Sequence, residues 1–154
     1  MDKSVNQIKI IFWTLFGLMV IMLLMAVFII KNTGPLMDWN LTQRENLKSV
    51  ILILSLGGIP ASYFFHSKKI KHLNPDLPLQ IKINQYKTSF LIKIITLEAL
   101  SVLGILSYML TADNTFLYIF ALLFLAYLIN RPTQNGIIEE IESNNPEKTD
   151  DTDE

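Results

Sequence analysis

Four blocks of apolar residues, separated by polar links, constrain this chain more than any other feature. Ile10 to Ile30 is apolar apart from Thr14 and Gly17, and Ser49 to Phe65, Thr88 to Leu110 and Phe116 to Ile129 follow. Apolar blocks of roughly 18 residues or more read as membrane spans. At about 1.5 Å per helical residue, the first and third blocks each cross a ~30 Å hydrocarbon core. The second crosses with a helix that begins near Thr42, and the short fourth crosses where its flanks dip in or the bilayer thins. A water-soluble reading fails on size, because 154 residues cannot wrap four all-apolar helices in polar structure. The expected fold class is all-α, a transmembrane four-helix bundle. The expected division is a four-span domain over residues 1–132, with spans at about 9–31, 43–66, 87–110 and 115–131, followed by a cytoplasmic acidic tail over 133–154.

Charge sets the orientation. The net charge of −1 hides an asymmetry, with eight of the fourteen acids in the last sixteen residues. Lys and Arg in short links favour the cytoplasm. The link between the first two blocks carries Lys31, Arg44 and Lys48; the long central link carries Lys68, Lys69, Lys71, Lys82 and Lys87; the link before the fourth block carries none. With both termini and the central link in the cytoplasm, nine bases lie inside and three outside. A multi-pass protein of the cell membrane follows, with cytoplasmic N- and C-termini. The first apolar run is far longer than a signal-peptide core of about 7–15 residues, so it reads as an uncleaved anchor.

The links carry local signals. Asn32-Thr33-Gly34-Pro35 reads as a turn. Thr42-Gln43-Arg44-Glu45 fits a capping box that starts the second helix at Gln43. Alternation from Leu79 to Ile83 suggests a short extended segment at the interface. Asp113, Asn114 or Thr115 caps the fourth helix, and Pro132 ends it. Ile137, Ile138 and Ile141 form one face of a short helix, and the residues beyond Ser143 are expected to be disordered. The basic stretch His66 to His72 either holds topology or meets anionic lipid headgroups, at about 1 kcal/mol per base.

Inside the blocks, polar residues are few. Glu98 is the only acid in any of them, and a carboxylate at that depth is a functional candidate. Counted from Thr88 it falls near mid-membrane, about 15 Å along the helix. On the second helix Pro60 cannot donate a backbone hydrogen bond, which leaves the Leu56 carbonyl short of a partner. Gly57 with Ala61, and Gly58 with Ser62, are small pairs four apart that admit a neighbouring helix. Ser101 and Gly104 follow Glu98 at spacings of three. The expectation is that the Glu98 face packs on the Gly58 groove, bonded to the Leu56 carbonyl or to Ser55. Lys93, near the cytoplasmic end, is expected to snorkel to the headgroups.

No catalytic set is expected. The chain has no cysteine, no glycine loop for phosphate and no paired intramembrane carboxylates. No metal or cofactor is expected, since His66 and His72 do not face each other across helices. The bilayer is the expected surrounding, with no nucleic-acid partner; a second copy or a membrane complex is a candidate partner.

The run Glu98-Ala99-Leu100-Ser101-Val102-Leu103-Gly104-Ile105 resembles the carboxylate-bearing helix of the rotor-ring (c, or proteolipid) subunits of rotary ATP synthases. That family carries a mid-membrane glutamate on a helical hairpin with a polar cytoplasmic loop. The resemblance implies that Glu98 carries a proton or a sodium ion. The residues themselves favour a small membrane protein without enzymatic activity, an accessory subunit, or an adaptor that works through its acidic tail.

Overall fold

A computed structural model describes residues 2–74 and 76–143. It contains five helices: α1 (Asp2–Thr33), α2 (Leu41–Lys71), α3 (Leu79–Thr111), α4 (Thr115–Ile129) and α5 (Gln134–Ser143). Among the described residues there is no strand. The acidic stretch expected to be disordered lies outside the described residues.

α3 is the axis, and α1, α2, α4 and α5 each pack against it. Its sides bury Ile83, Phe90, Ile94, Leu97, Ile105 and Tyr108. The outer faces of the surrounding helices are apolar as well. Ile21, Leu24 and Phe28 of α1, and Ile53, Leu56 and Phe64 of α2, stand exposed. Contiguous apolar surface of this kind requires an apolar surrounding or a partner. Three helices, α1 to α3, are long and apolar enough to cross a membrane, and α4 with α5 forms a bent pair at 81°. The chain is thus all-helical and apolar in the manner of a membrane protein.

The helix ends show why the chain turns where it does. Gly34 adopts φ +77°, a left-handed conformation that glycine takes without a Cβ clash. The link then crosses the end of α3. Leu36 N donates to Met109 O at 3.0 Å and Met37 N to Leu110 O at 3.2 Å, which satisfies two of that helix's terminal carbonyls. The cap of α2 lies two residues earlier than the Thr42–Glu45 pattern predicts. Asn40 Oδ1 accepts from Gln43 N at 2.8 Å, and Asn40 N donates to Gln43 Oε1 at 3.1 Å. Two overlapping capping patterns compete there, and asparagine is among the strongest N-caps. Glu45 pairs with Lys48 instead, at 2.9 Å.

The extended segment expected from Leu79 to Ile83 is helical. Ile81 N and Lys82 N both donate to Pro78 O, and Ile83, Tyr86 and Phe90 continue the buried face of α3. The helical spacing of that face outweighs a five-residue alternation.

The α3–α4 link is held by Asp113. Its carboxylate accepts from Thr115 N at 2.8 Å and meets Lys48 of α2 at 3.0 Å. Asn114, at the N-cap position, makes no side-chain capping bond. The Thr115 amide, aided by the Thr115 hydroxyl and Lys48 and opposed by burial, holds the Asp113 carboxyl down at about 2. A depressed carboxyl contributes stability that is complete above its ordinary value of 3.8 and lost as pH falls toward 2. The contribution is modest because the pair is partly solvated. Thermal unfolding in detergent micelles should therefore show an acid-dependent loss of stability across this interval that Asp113→Asn reduces. Identical acid profiles for the two proteins would remove this role.

α4 approaches α3 closely at Gly104, where an added Cβ would lie 3.8 Å from Phe116 O. It meets α1 through rings: Phe12 stacks on Tyr127 at 4.6 Å, and Phe16 lies 5.1 Å from Phe124. The chain then turns at 130–133. Thr133 Oγ1 accepts from Gly136 N at 3.2 Å to start α5, and Ile137 and Ile141 turn inward.

Candidate functional site

Polar side chains gather where α2 ends and α3 begins, at the same end as α5. The inward stripe of α2 runs Ile51, Ser55, Ser62, His66, Ile70, at spacings of four and seven that keep one face of a helix. This stripe carries His66 into the interior, with 3% of its surface exposed. There His66 Nδ1 meets Ser89 Oγ of α3 at 2.9 Å. On the other side of the ring, Nε2 lies 3.2 Å from Glu140 Oε1 of α5. Nε2 nevertheless has no aligned hydrogen-bond partner, so this is a close contact, which forms an ion pair only with a protonated imidazole. Tyr86, one turn before Phe90 on α3, donates its hydroxyl to Glu140 Oε2 at 2.8 Å. Tyr86 also packs edge-on to the imidazole, with centroids 5.2 Å apart.

Lys93 completes the group. It is 5% exposed, with its ammonium 5.1 Å above the Tyr63 ring and 5.5 Å from Phe90. It therefore does not snorkel outward. The aromatic faces attract the cation, and Glu140 adds an opposite charge nearby. Tyr63 reaches Ala126 O at 3.4 Å and bonds to the Asn130 amide, which also donates to Ala126 O. Arg131 sits over Trp13 at 5.8 Å. His66, Tyr86, Lys93, Asn130, Arg131 and Glu140 are among the residues that line a cavity of about 340 Å³. Burial pushes the Glu140 carboxyl up, but contacts with His66 and Tyr86 and the charges of His66 and Lys93 hold it below its ordinary value.

Ser89, His66 and Glu140 stand in the order of an acyl-transfer relay. Ser89, however, is buried, and its hydroxyl also lies 3.5 Å from the His66 carbonyl. Amides inside a helix are already bonded to the preceding turn, so those around Ser89 offer no oxyanion pair. The three groups are better suited to tying α2, α3 and α5 together. Among the described residues, no group of three His, Asp or Glu side chains could hold a metal.

The residues singled out from sequence fall elsewhere. Glu98 is 9% exposed and lies near Tyr127 of α4. The Gly58 groove is filled by Leu100, whose Cδ1 would be 2.5 Å from an added Cβ. Leu100 is two residues, about 200°, around α3 from Glu98, so the Glu98 face does not pack there. Ser55 is buried, but its hydroxyl has no hydrogen-bond partner, so it does not hold Glu98. Ser62 donates to Ile59 O at 2.7 Å and Ser101 to Leu97 O at 2.9 Å, each within its own helix. Gly57 faces open space and Pro60 is exposed. Of the two small pairs, only Gly58 with Ser62 lies toward α3, while Ser101 and Gly104 are buried on α3 itself.

Sequence reasoning passed over Tyr86 and Ser89, set His66 in the basic stretch and Lys93 at the headgroups, and did not bring these residues together with Glu140. The signal available was the spacing of His66 from Ser62 and Ser55, which places it on the small, inward face of α2. Nothing in the sequence pairs that face with Glu140. No protein-family model, no curated protein and no solved structure matches this chain.

Proposed function

We propose that this chain is a four-span, non-enzymatic protein of the cell membrane, with both termini cytoplasmic, that serves as an accessory subunit. The observation that carries this reading is an interval shared by three helices. Trp13 and Lys31 on α1, Lys48 and His66 on α2, and Lys93 and Thr111 on α3 are each eighteen residues apart. That is about 27 Å of helix, close to one hydrocarbon thickness. Between these anchors the only charged residue is Glu98. α4, with 15 residues, runs beside α3 and ends with Asn130 and Arg131 against Tyr63 and Trp13. It crosses the same slab with some local thinning, and α5 then lies along the cytoplasmic surface with its isoleucines inward.

The Glu140 contacts hold the start of the acidic C-terminal segment at one place on that surface. This suits an adaptor that offers the segment to a membrane complex or to a second copy. Because the natural chain lacks cysteine, topology is directly testable with single substitutions. In intact cells an impermeant maleimide should label Asp38→Cys and Asn114→Cys. Asn74→Cys and Glu142→Cys should react only after the membrane is opened. The reverse pattern would overturn the orientation, and extraction of the protein by alkaline carbonate would overturn membrane integration.

A second reading, ion carriage by Glu98, is favoured by one observation, the burial of that acid within the slab. Measured from Lys93, Glu98 lies about 7–8 Å inside rather than at mid-membrane. A carrier would react with a hydrophobic carbodiimide in a pH-dependent manner and be protected by sodium. An inert Glu98 removes this reading.

A further inference from the structure

A second cleft lies on the other side of the His66 ring, between the end of α2 and the start of α3. Phe65, His66, Lys68, Lys69, His72, Ser89 and Ile92 line its larger part, about 430 Å³. A smaller part of about 390 Å³ shares Lys69, His72 and Ser89 and continues toward Gln85 and Thr88. No acidic side chain lines either part. In this it differs from the α5 cavity, which already contains the carboxylate of Glu140.

We infer that this cleft binds the phosphate headgroup of an anionic phospholipid. The inference rests on the membrane placement proposed above. At that placement His66 and Lys93 mark the boundary of the hydrocarbon. Phe65, one residue to the apolar side of His66, and Ile92, one residue to the cytoplasmic side of Lys93, are exposed and stand at the edge of the lipid-facing side of α2 and α3. They form a wall for an acyl chain. Lys68 and Lys69, two and three residues beyond His66, stand about 3–5 Å above the boundary, the depth of a phosphate. His72, one turn further, has its Nδ1 2.7 Å from Lys68 O. The carbonyl can only accept, so Nδ1 carries the proton, and Nε2 is left for another partner. Two cations over an apolar, laterally open wall distinguish a lipid phosphate from a free anion, which has nothing to place against Phe65 and Ile92.

The full-length protein in nanodiscs of about one part phosphatidylglycerol to two parts phosphatidylcholine provides the test, with lipids retained after detergent extraction measured by mass spectrometry. Phosphatidylglycerol should be enriched over the bulk ratio, and the enrichment should fall about fivefold for each lysine neutralised in Lys68→Gln and Lys68→Gln/Lys69→Gln variants. Lys3→Gln/Lys9→Gln, which removes two bases of α1, should leave it unchanged. Retention at the bulk ratio, or equal losses in both double variants, overturns the cleft. Displacement of the lipid by millimolar inorganic phosphate identifies a free-anion site and overturns the lipid assignment. Failure of the chain to enter nanodiscs at all counts against the membrane placement, so the two failures are distinguishable.

Discussion

Tyr127→Ala should cost about 3–5 kcal/mol of stability, as for other large aromatic side chains removed from a core. Tyr127 is fully buried and joins α4 to α1. Its ring stacks on Phe12 with an interplanar angle of 22°. Its hydroxyl donates to Phe12 O at 2.8 Å. α4 is short, so few other groups can replace this attachment. Tyr127→Phe separates the two contributions. It keeps the ring and loses one hydrogen bond, which is worth about 0.5–1.5 kcal/mol. Unfolding in mixed micelles, followed by helical signal against denaturing-detergent fraction, measures both. If the alanine variant is no less stable than the phenylalanine variant, the stacked rings are not holding α4.

Tyr86→Phe should release α5. The Tyr86 hydroxyl is a well-aligned donor to Glu140, at 2.8 Å. A hydrogen bond to a charged group contributes about 1.5–3 kcal/mol. Its loss should speed amide exchange in α5 by about 10- to 150-fold, with the lower end favoured because Glu140 is partly solvated. Exchange in α1 and in the middle of α3 should not change. Glu140→Gln should fall between the two proteins, since an amide oxygen still accepts from Tyr86 but no longer attracts His66 and Lys93. Unaltered protection of α5 in Tyr86→Phe would mean that the Tyr86–Glu140 bond does not hold this helix in place.

Much of the fold was legible because apolar blocks and short links are local features. The four blocks mark the cores of α1 to α4, Asp113 lies in the tight link, and the Ile137–Ile141 spacing indicates an inward face for α5. The helix ends were less legible. Charged and amide side chains extend α1 and α3 well past their apolar blocks. The depth of Glu98 therefore depends on which residue marks the boundary, Thr88 or Lys93. The capping register turned on two overlapping patterns, and sequence spacing alone did not choose between them.

The polar cluster was hardly legible at all. His66 and Glu140 are 74 residues apart, and they meet only because the chain bends by 81° after α4. Lys93 looked like a residue that would reach outward, since its inward position depends on Tyr63 and Phe90 offering their faces from two helices. Gly58 and Glu98 each looked suited to a helix contact. Which of them faced which could not be read without the rotation of α3, and that rotation puts Leu100 over the glycine.

The central place of α3 bears on how the protein is made. α1 and α2 barely touch one another, and each finds its main packing partner in α3. On the membrane placement proposed above, the first two segments would wait in the bilayer as loose neighbours during synthesis. The interior would then close only once the third had been made and had joined them. A chain halted before Leu79 would then remain as two unassociated helices, an open target for quality-control proteolysis.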